Sequence, residues 1–282
     1  MSAHISELRN DQNLLFPVFK SLFTAKKQIK KDVFLSASYQ AKIDDFQLSA
    51  YKAYFGFEQA EVPLPFLYLM AQKAQIKLMV EQDFPLAIPG MVHLENKMHY
   101  YAEPNTNQAF VLETTMEIKA KEGSLLPVSI VKIYQDNVLI ADSESLYLSK
   151  RKSKGKKKKK EAEAKPLLRE DFSKQWILHA NAGKEYAEIS GDKNPIHTSK
   201  IGAKLFGFPS MIIHGWCSAS KATASLEKEY QKPIKSIEIV FKKAIVIPRK
   251  VAIIAKKEEL SAVFEFRKEG AEDVYLEGSL TF

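Results

Sequence analysis

The residues of this chain best suited to acid–base chemistry lie in two short stretches, ISGDKNPIH and MIIHG. Asp192 and His197 are five residues apart around an Asn-Pro pair, and His214 and Gly215 begin seventeen residues after His197. Gly, Asp, Asn and Pro are common in ordinary turns, so a polar loop is the simplest interpretation. A carboxylate and an imidazole held beside one water molecule would instead allow proton transfer between that water and a substrate.

The residues around Asp192 predict a stiff loop. Gly191 can end a preceding helix in the left-handed conformation and turn the chain sharply. Pro195 fixes its own φ angle and disfavours the helical conformation for Asn194. A loop restrained in this way can hold Asp192 and His197 on either side of a bound water.

A long helix is predicted directly after this second stretch, in HGWCSASKATASLEKEY. Its free N–H groups and positive dipole end would then lie at Gly215. Four strand-like runs follow: IKSIEIVF, AIVIPRKVAIIA, LSAVFEF and DVYLEGSLTF. The helix is indicated by side chains that recur at steps of three and four, namely Trp216, Ala219, Thr223, Leu226 and Tyr230.

The first half repeats the same order of elements. LPFLYLMAQKAQIKLMV predicts a second long helix, and four extended runs follow it. This repetition indicates an internal duplication. We expect two domains, 1–149 and 167–282, joined by a linker at 150–166. Residues 1–40 are predicted to pack against the first domain, with an amphipathic membrane-surface segment as the alternative.

The net charge of +8 comes from one tract. Residues 150–160 contain nine basic and no acidic residues, so the rest of the chain is nearly neutral. Such a tract is expected to be a solvated connector, with binding to RNA, anionic lipid or an acidic carrier protein as alternatives. No aromatic residue is interleaved with the lysines, and we therefore expect no specific nucleic-acid binding.

The composition is that of a folded cytoplasmic protein. Apolar residues make up 45% of the 282 residues, enough for sizeable cores. The single cysteine, Cys217, excludes a disulfide within the chain and is consistent with a reducing compartment. No apolar run approaches the ~18 residues of a membrane span. The N-terminal MSAHISELRNDQ does not resemble a secretory signal.

With YAEISGDKNPIH, Ala203 and FGFPSMIIHG, the chain resembles the MaoC-like family of (R)-specific enoyl-CoA hydratases and 3-hydroxyacyl thioester dehydratases. The family has the hot-dog fold, a long helix wrapped by an antiparallel sheet. DFPLAIPGMVHLENKM and VFKKAIVIP extend the resemblance to double-hot-dog members. The implied fold is α+β, a double hot dog with one continuous sheet. His93 and His99 of the first half have no matching motif, so that half is expected to be catalytically silent.

The resemblance also implies roles for the motif residues. Asp192 and His197 would share the acid–base work. In the preferred division, Asp192 is the base toward water and His197 is the proton donor. Sequence alone does not decide that division. The N–H at Gly215 would bind the thioester oxygen, while Asn194 supports the loop. His214 is expected to orient the loop by hydrogen bonding rather than to take part in the chemistry.

Several further positions are candidates for shaping the site. Trp216 stands where family members often carry Met, and it would either narrow an acyl tunnel or pack in the core. Thr223 matches a position usually held by a Ser that supports the active site. Phe66, Tyr68 and Met70, on the long helix of the first half, are expected to line the tunnel.

The resemblance therefore implies an enzyme that reversibly hydrates trans-2-enoyl thioesters to (R)-3-hydroxyacyl thioesters. Its substrate would be carried on coenzyme A or an acyl carrier protein, without a metal or other cofactor. The alternatives are a hot-dog thioesterase and a non-catalytic acyl-thioester-binding or scaffold protein. We expect one active site per chain, near the interface of the halves and with chemistry from the second half alone. The chain would be a monomeric pseudo-dimer or a homodimer.

Overall fold

A computed structural model describes residues 5–8, 14–26, 29–120, 123–149, 171–271 and 273–282. The predicted linker at 150–166 and its boundary with the second domain lie outside these residues. The strands are β1 (Ser6–Glu7), β2 (Val33–Ala41), β3 (Met91–Tyr100), β4 (Phe110–Ile118), β5 (Val128–Gln135), β6 (Val138–Ser149), β7 (Phe172–Leu178), β8 (Ser236–Phe241), β9 (Arg249–Lys257), β10 (Ser261–Lys268) and β11 (Val274–Thr281). The helices are α1 (Leu15–Thr24), α2 (Asp45–Phe55), α3 (Leu64–Glu81), α4 (Ala182–Ser190), α5 (Pro195–Thr198), α6 (Lys200–Leu205) and α7 (Gly215–Tyr230).

All of these strands belong to one sheet, in the order β1-β2-β4-β5-β6-β3-β8-β11-β10-β9-β7. Neighbours are antiparallel except for the short β1, which runs parallel to β2. The two halves meet at β3 and β8, where Glu95 pairs with Val240 and His99 with Ser236. Each half is a long helix covered by its own strands. The predicted α+β double hot dog with one continuous sheet is confirmed.

The two long helices, α3 and α7, form the centre of the molecule. Both are buried on most sides, as expected for helices enclosed by a curved sheet. On α7 the buried positions are mainly small, which lets the strands approach closely. The helices touch through Tyr68 and Trp216, whose rings stack with centroids 4.1 Å apart. The helix predicted after His214 is confirmed.

Polar contacts also join the halves. The hydroxyl groups of Tyr51 on α2 and Ser220 on α7 are hydrogen-bonded at 2.6 Å in the core. The Glu227 carboxylate, also buried, accepts the backbone N–H groups of Glu58 and Gln59 at 3.2 and 3.0 Å. Burial raises the pKa of Glu227, and these N–H groups oppose that rise. Separating the halves would expose this carboxylate and both hydroxyls.

Helix α1 packs against the first half, as predicted for the N-terminal segment. Ser21 accepts a hydrogen bond from the N–H of Ile88, and the N–H of Lys26 donates to the carbonyl of Pro85. The opposite face of α1 carries Phe16 and Phe23, which are 77% and 90% exposed. Among the described helices, none is both long and apolar enough to cross a membrane.

Candidate active site

The loop that carries Asp192 has the stiffness that the sequence predicts. Helix α4 ends at Gly191, which takes the left-handed conformation at φ 79°. The short helix α5 then begins at Pro195, where a missing N–H does no harm. The Asn194 side chain caps it by accepting a hydrogen bond from the N–H of Ile196 at 3.3 Å. Asn194 therefore fixes the turn between Asp192 and α5.

Hydrogen bonds from both halves of the chain hold the Asp192 carboxylate. Its Oδ1 accepts the backbone N–H of Asn194 at 3.2 Å, and its Oδ2 accepts the side-chain amide of Gln72 at 3.1 Å. Burial alone would raise the pKa of Asp192. His214, His197 and the two hydrogen bonds outweigh burial and lower that pKa below its usual value. Asp192 is therefore ionised at neutral pH.

His197 has a defined tautomer. Its Nδ1 lies 2.8 Å from the carbonyl oxygen of Ile212. Because a carbonyl can only accept, Nδ1 carries the proton and the neutral ring has a bare Nε2. Burial lowers the pKa of His197, although the charge on Asp192 opposes that change. The ring is thus neutral at neutral pH and has one nitrogen ready to accept a proton.

His214 orients the loop, as the sequence analysis favours. Its Nε2 donates to the backbone carbonyl of Asp192 at 2.9 Å. Its ring stacks on that of His197, with centroids 3.6 Å apart. Burial and the neighbouring His197 lower the pKa of His214 to about 3, so the ring stays neutral. Among the described residues, its Nδ1 is buried without a partner.

Asp192, His197 and His214 therefore form one group, here called the Asp–His–His cluster. One carboxylate oxygen and a nitrogen of each ring lie within 4.8 Å of one another. This residue set could bind a divalent metal. A water molecule can bridge polar atoms up to about 5 Å apart. The three side chains are therefore also close enough to hold one bridging water.

Gly215 begins α7 beside the cluster. His214, the capping residue, is extended and makes no side-chain cap hydrogen bond. The N–H groups of Gly215 and Trp216 lie in the first turn, where a helix offers them no carbonyl partner. Gly215 is also exposed, unlike the residues around it. These N–H groups and the positive end of α7 can stabilise a negatively charged oxygen.

A side chain at Gly215 would collide with β8. A Cβ atom there would lie 2.8 Å from Cε1 of Phe241. We expect Gly215→Ala to lower the free energy of unfolding by about 1–2 kcal/mol, because the Phe241 ring must move. Chemical denaturation measures this, and adding Phe241→Leu should restore most of the loss. An unchanged free energy of unfolding in Gly215→Ala would contradict the prediction.

Two predicted supporting residues lie elsewhere. Trp216 is buried against Tyr68, so it packs between the halves and does not line the cavity described below. The Thr223 hydroxyl donates to the carbonyl of Ala219 within α7 at 2.7 Å. It lies two helical turns beyond Gly215. The supporting role of Thr223 stays a prediction.

A cavity of about 800 Å³ extends from Asp192 into the first half. It lies between α1, α2, α3 and the loop 190–194, which places it at the interface of the halves. Of the predicted tunnel residues, Phe66 and Met70 line it, whereas Tyr68 does not. Its apolar wall is formed mainly by Val18, Phe19, Phe46, Ala50, Phe66, Leu69, Met70, Ile76, Met79, Ile88 and Met91.

The first half also supplies polar residues that the sequence analysis missed. Gln72, Gln75 and Tyr147 line the cavity, and the Tyr147 hydroxyl donates to Oε1 of Gln75 at 2.6 Å. Burial raises the pKa of Tyr147, and the charge on Asp192 adds to that rise, so Tyr147 stays neutral. Nothing local in the sequence marks Gln72, because its contact with Asp192 spans 120 residues.

The histidines of the first half are structural, as expected. The His93 ring is stacked on Tyr147, with centroids 4.6 Å apart, and contacts the tilted ring of Phe241 at 5.0 Å. Burial lowers the pKa of His93 to about 3, so it behaves as a neutral aromatic ring. His99 lies 3.0 Å from Asp142 on the same half. Neither belongs to the Asp–His–His cluster.

Comparison with known proteins finds a family match in the second half of the chain and a relative along most of it. Residues 155–277 match the family model of the MaoC like domain. The chain is 28% identical over 209 residues to 3-hydroxyacyl-thioester dehydratase X of Mycobacterium tuberculosis, covering 73% of this chain and 74% of that protein.

Solved structures share the whole architecture. HtdX of Mycobacterium tuberculosis superimposes with a TM-score of 0.72 at 22% identity, covering 88% of this chain and 99% of that one. A MaoC-like dehydratase from Phytophthora capsici gives a TM-score of 0.67 at 18% identity, covering 88% and 95%. The second half of the chain thus matches the MaoC like domain, within an architecture shared with solved MaoC-like dehydratases.

Proposed function

We propose that the protein reversibly hydrates trans-2-enoyl thioesters to (R)-3-hydroxyacyl thioesters. The MaoC like domain and the similarity to a 3-hydroxyacyl-thioester dehydratase support a hydro-lyase acting on thioesters in fatty-acid metabolism. The observation that carries the proposal is a mainly apolar cavity lined by the ionised Asp192, whose carboxylate lies within 4.8 Å of a ring nitrogen of the neutral His197. The acyl group would enter this cavity with its double bond near the cluster and its carbonyl at Gly215.

The protonation states favour a different division of labour from the one expected from sequence. In the resting site His197 has no proton to donate, because Nδ1–H is engaged by Ile212 and Nε2 is bare. In hydration, Nε2 would take a proton from water as the hydroxide oxygen bonds to C3. The resulting imidazolium would return that proton to C2. Asp192 would orient the water and stabilise the transient imidazolium.

The thioester oxygen becomes negative while C2 waits for its proton. The N–H groups of Gly215 and Trp216 would bind this enolate-like oxygen at the positive end of α7. In other enzymes the loss of one such donor reduces turnover by about 10²- to 10³-fold. No metal or redox cofactor takes part in the proposed reaction. The dehydration direction uses the same groups in reverse order.

The cavity supports a medium or long acyl chain as substrate. Its volume is in the range of about 300–1,000 Å³ that is typical of ligand sites, and most of its wall is apolar. The residues of that wall come largely from α1, α2 and α3. In this proposal the first half selects the acyl chain, and the second half supplies His197 and the helix N-terminus. Coenzyme A and acyl carrier protein are both suitable carriers.

Assays with crotonyl-, octenoyl- and hexadecenoyl-CoA test the proposal. The loss of enoyl absorbance measures hydration, and chiral analysis gives the configuration of the product. We expect an (R)-3-hydroxyacyl product and a higher kcat/KM for octenoyl than for crotonyl thioester. Release of free thiol without hydration would indicate the thioesterase alternative. Binding of acyl thioester without turnover would indicate the non-catalytic alternative, and either result would overturn the proposal. Comparing kcat/KM for the same acyl groups on acyl carrier protein and on coenzyme A identifies the carrier.

A further inference from the structure

The first half reaches the catalytic carboxylate through one side chain. Gln72 lies in the middle of α3, and its Nε2 is 3.1 Å from Oδ2 of Asp192. A carboxylate only accepts hydrogen bonds, so the amide NH₂ must face it. We infer that Gln72 is a positioning residue for Asp192, and that the first half takes part in the acid–base machinery. This inference rests on the proposed hydratase function.

The two carboxylate oxygens are held from different directions. Asn194, in the same loop, donates its backbone N–H to Oδ1. With this bond alone, the carboxylate could still rotate and turn Oδ2 away from the cluster. The bond from Gln72 removes that freedom, because α3 is packed in the core and is a different element from the loop. Gln72 thus sets the plane in which Asp192 meets a bound water.

Gln72 also favours the ionised form of Asp192. Burial disfavours the charge, and the amide is one of the groups that oppose burial and lower the pKa of Asp192. Loss of this donor should raise that pKa, because a hydrogen bond to the charged form has been removed. The groups whose charges act on Asp192, or on which its charge acts, are His197, His214, Tyr68, Tyr147 and Tyr186. The charged groups that line the same cavity are Lys42, Asp44, Lys73, Glu188 and Lys193.

These neighbours do not mask the expected change. Burial raises the pKa of each of the three tyrosines above its ordinary value, so they stay neutral through the acidic range. Lys193 and Glu188 pair with each other at 3.1 Å on the surface. A loss of activity toward low pH therefore reports Asp192 together with His197 and His214, and of these three only Asp192 has a hydrogen bond to Gln72.

The chain offers a matched comparison. Gln47 on α2 lines the same cavity, and its Nε2 donates to the backbone carbonyl of Ile189 at 2.7 Å. Like Gln72, it joins the first half to the region of the catalytic loop through one side-chain amide. Its partner is a neutral carbonyl rather than the carboxylate. A variant at Gln47 therefore loses an equivalent cross-half hydrogen bond without changing the environment of Asp192.

The experiment compares Gln72→Met with Gln47→Met in the full chain, since Met preserves the side-chain length. For Gln72→Met we expect kcat for enoyl-CoA hydration to fall about 10- to 100-fold, as for the loss of a hydrogen bond to a charged group. KM should change by less than about threefold, because Gln72 supplies only one polar group of the mainly apolar cavity wall, whereas it contacts Asp192 directly. The acid limb of the kcat–pH profile, where activity falls toward low pH, should move to higher pH. Gln47→Met should leave the acid limb in place.

A second readout does not depend on turnover. The ¹³C carboxyl resonance of Asp192, assigned by its loss in Asp192→Asn, should titrate at higher pH in Gln72→Met than in the wild type. An unchanged titration and an unchanged acid limb would overturn the inference even in an active enzyme. If the wild type hydrates no enoyl thioester, the proposed function fails, and the resonance still decides whether Gln72 acts on Asp192. Gln72→Leu replaces Gln72→Met should the latter not fold.

Discussion

Asp192→Asn is expected to reduce kcat for enoyl thioester hydration by about 10²- to 10⁴-fold, the usual contribution of a positioned acid–base group. Asn keeps the shape of Asp but has no charge to orient water or to stabilise an imidazolium at His197. His197→Ala should lose a similar factor, because the proton would have no carrier between water and C2. Steady-state kinetics with octenoyl-CoA measures both losses.

The double variant shows whether Asp192 and His197 act together in one step or independently. If Asp192 and His197 act on one water, Asp192→Asn with His197→Ala should be little slower than the worse single variant. Lys193→Ala is the matched control, since Lys193 lies in the same loop but pairs with Glu188 at the surface. It should retain near wild-type kcat. Near wild-type kcat in a folded Asp192→Asn or His197→Ala variant would contradict the mechanism.

The parts of the site that are local in the chain could be predicted from sequence. Gly191, Asn194 and Pro195 define the loop by their own backbone preferences, so the position of Asp192 next to α5 follows from neighbouring residues. The regular spacing of apolar side chains likewise indicates where α7 begins. His214 and Gly215 then lie at its N-terminus without any knowledge of the rest of the fold.

The parts that depend on tertiary packing could not be predicted in this way. Gln72 meets Asp192 only because α3 and the loop pack across the interface of the halves, 120 residues apart in sequence. The close approach of Phe241 to Gly215 depends on where β8 crosses α7. The supporting role of Thr223 also depends on packing. Eight residues of helix place Thr223 about 12 Å along the axis from Gly215, so that role stays a prediction.

The expectation that the second half alone supplies the chemistry needs a revision of the same kind. His197, His214 and Gly215 do come from the second half, but one bond that holds Asp192 comes from α3. The apolar wall of the cavity also comes from the first half. In the proposed enzyme, the first half lacks the motif yet still takes part in both acyl binding and carboxylate positioning.

Residues 166–282 expressed alone are therefore expected to be insoluble or self-associating. Without β3, strand β8 becomes an edge with unpaired backbone groups, which favours pairing with another chain. The Trp216 ring loses its stacking partner, and the buried Glu227 carboxylate loses the two N–H groups whose hydrogen bonds it accepts. Size-exclusion chromatography with light scattering measures the association state of whatever remains in solution.

Co-expression with residues 1–149 is the control for this fragment. If the halves fold as complementary domains, the second chain should cover β8 and Trp216 and restore a soluble complex. Hydration activity should return with it, because the complex regains the cavity wall and the bond from Gln72 to Asp192. A monomeric fragment 166–282 with wild-type kcat and unchanged chain-length preference would show that the first half has no part in the site. The dependence of Asp192 on α3 argues for the opposite result.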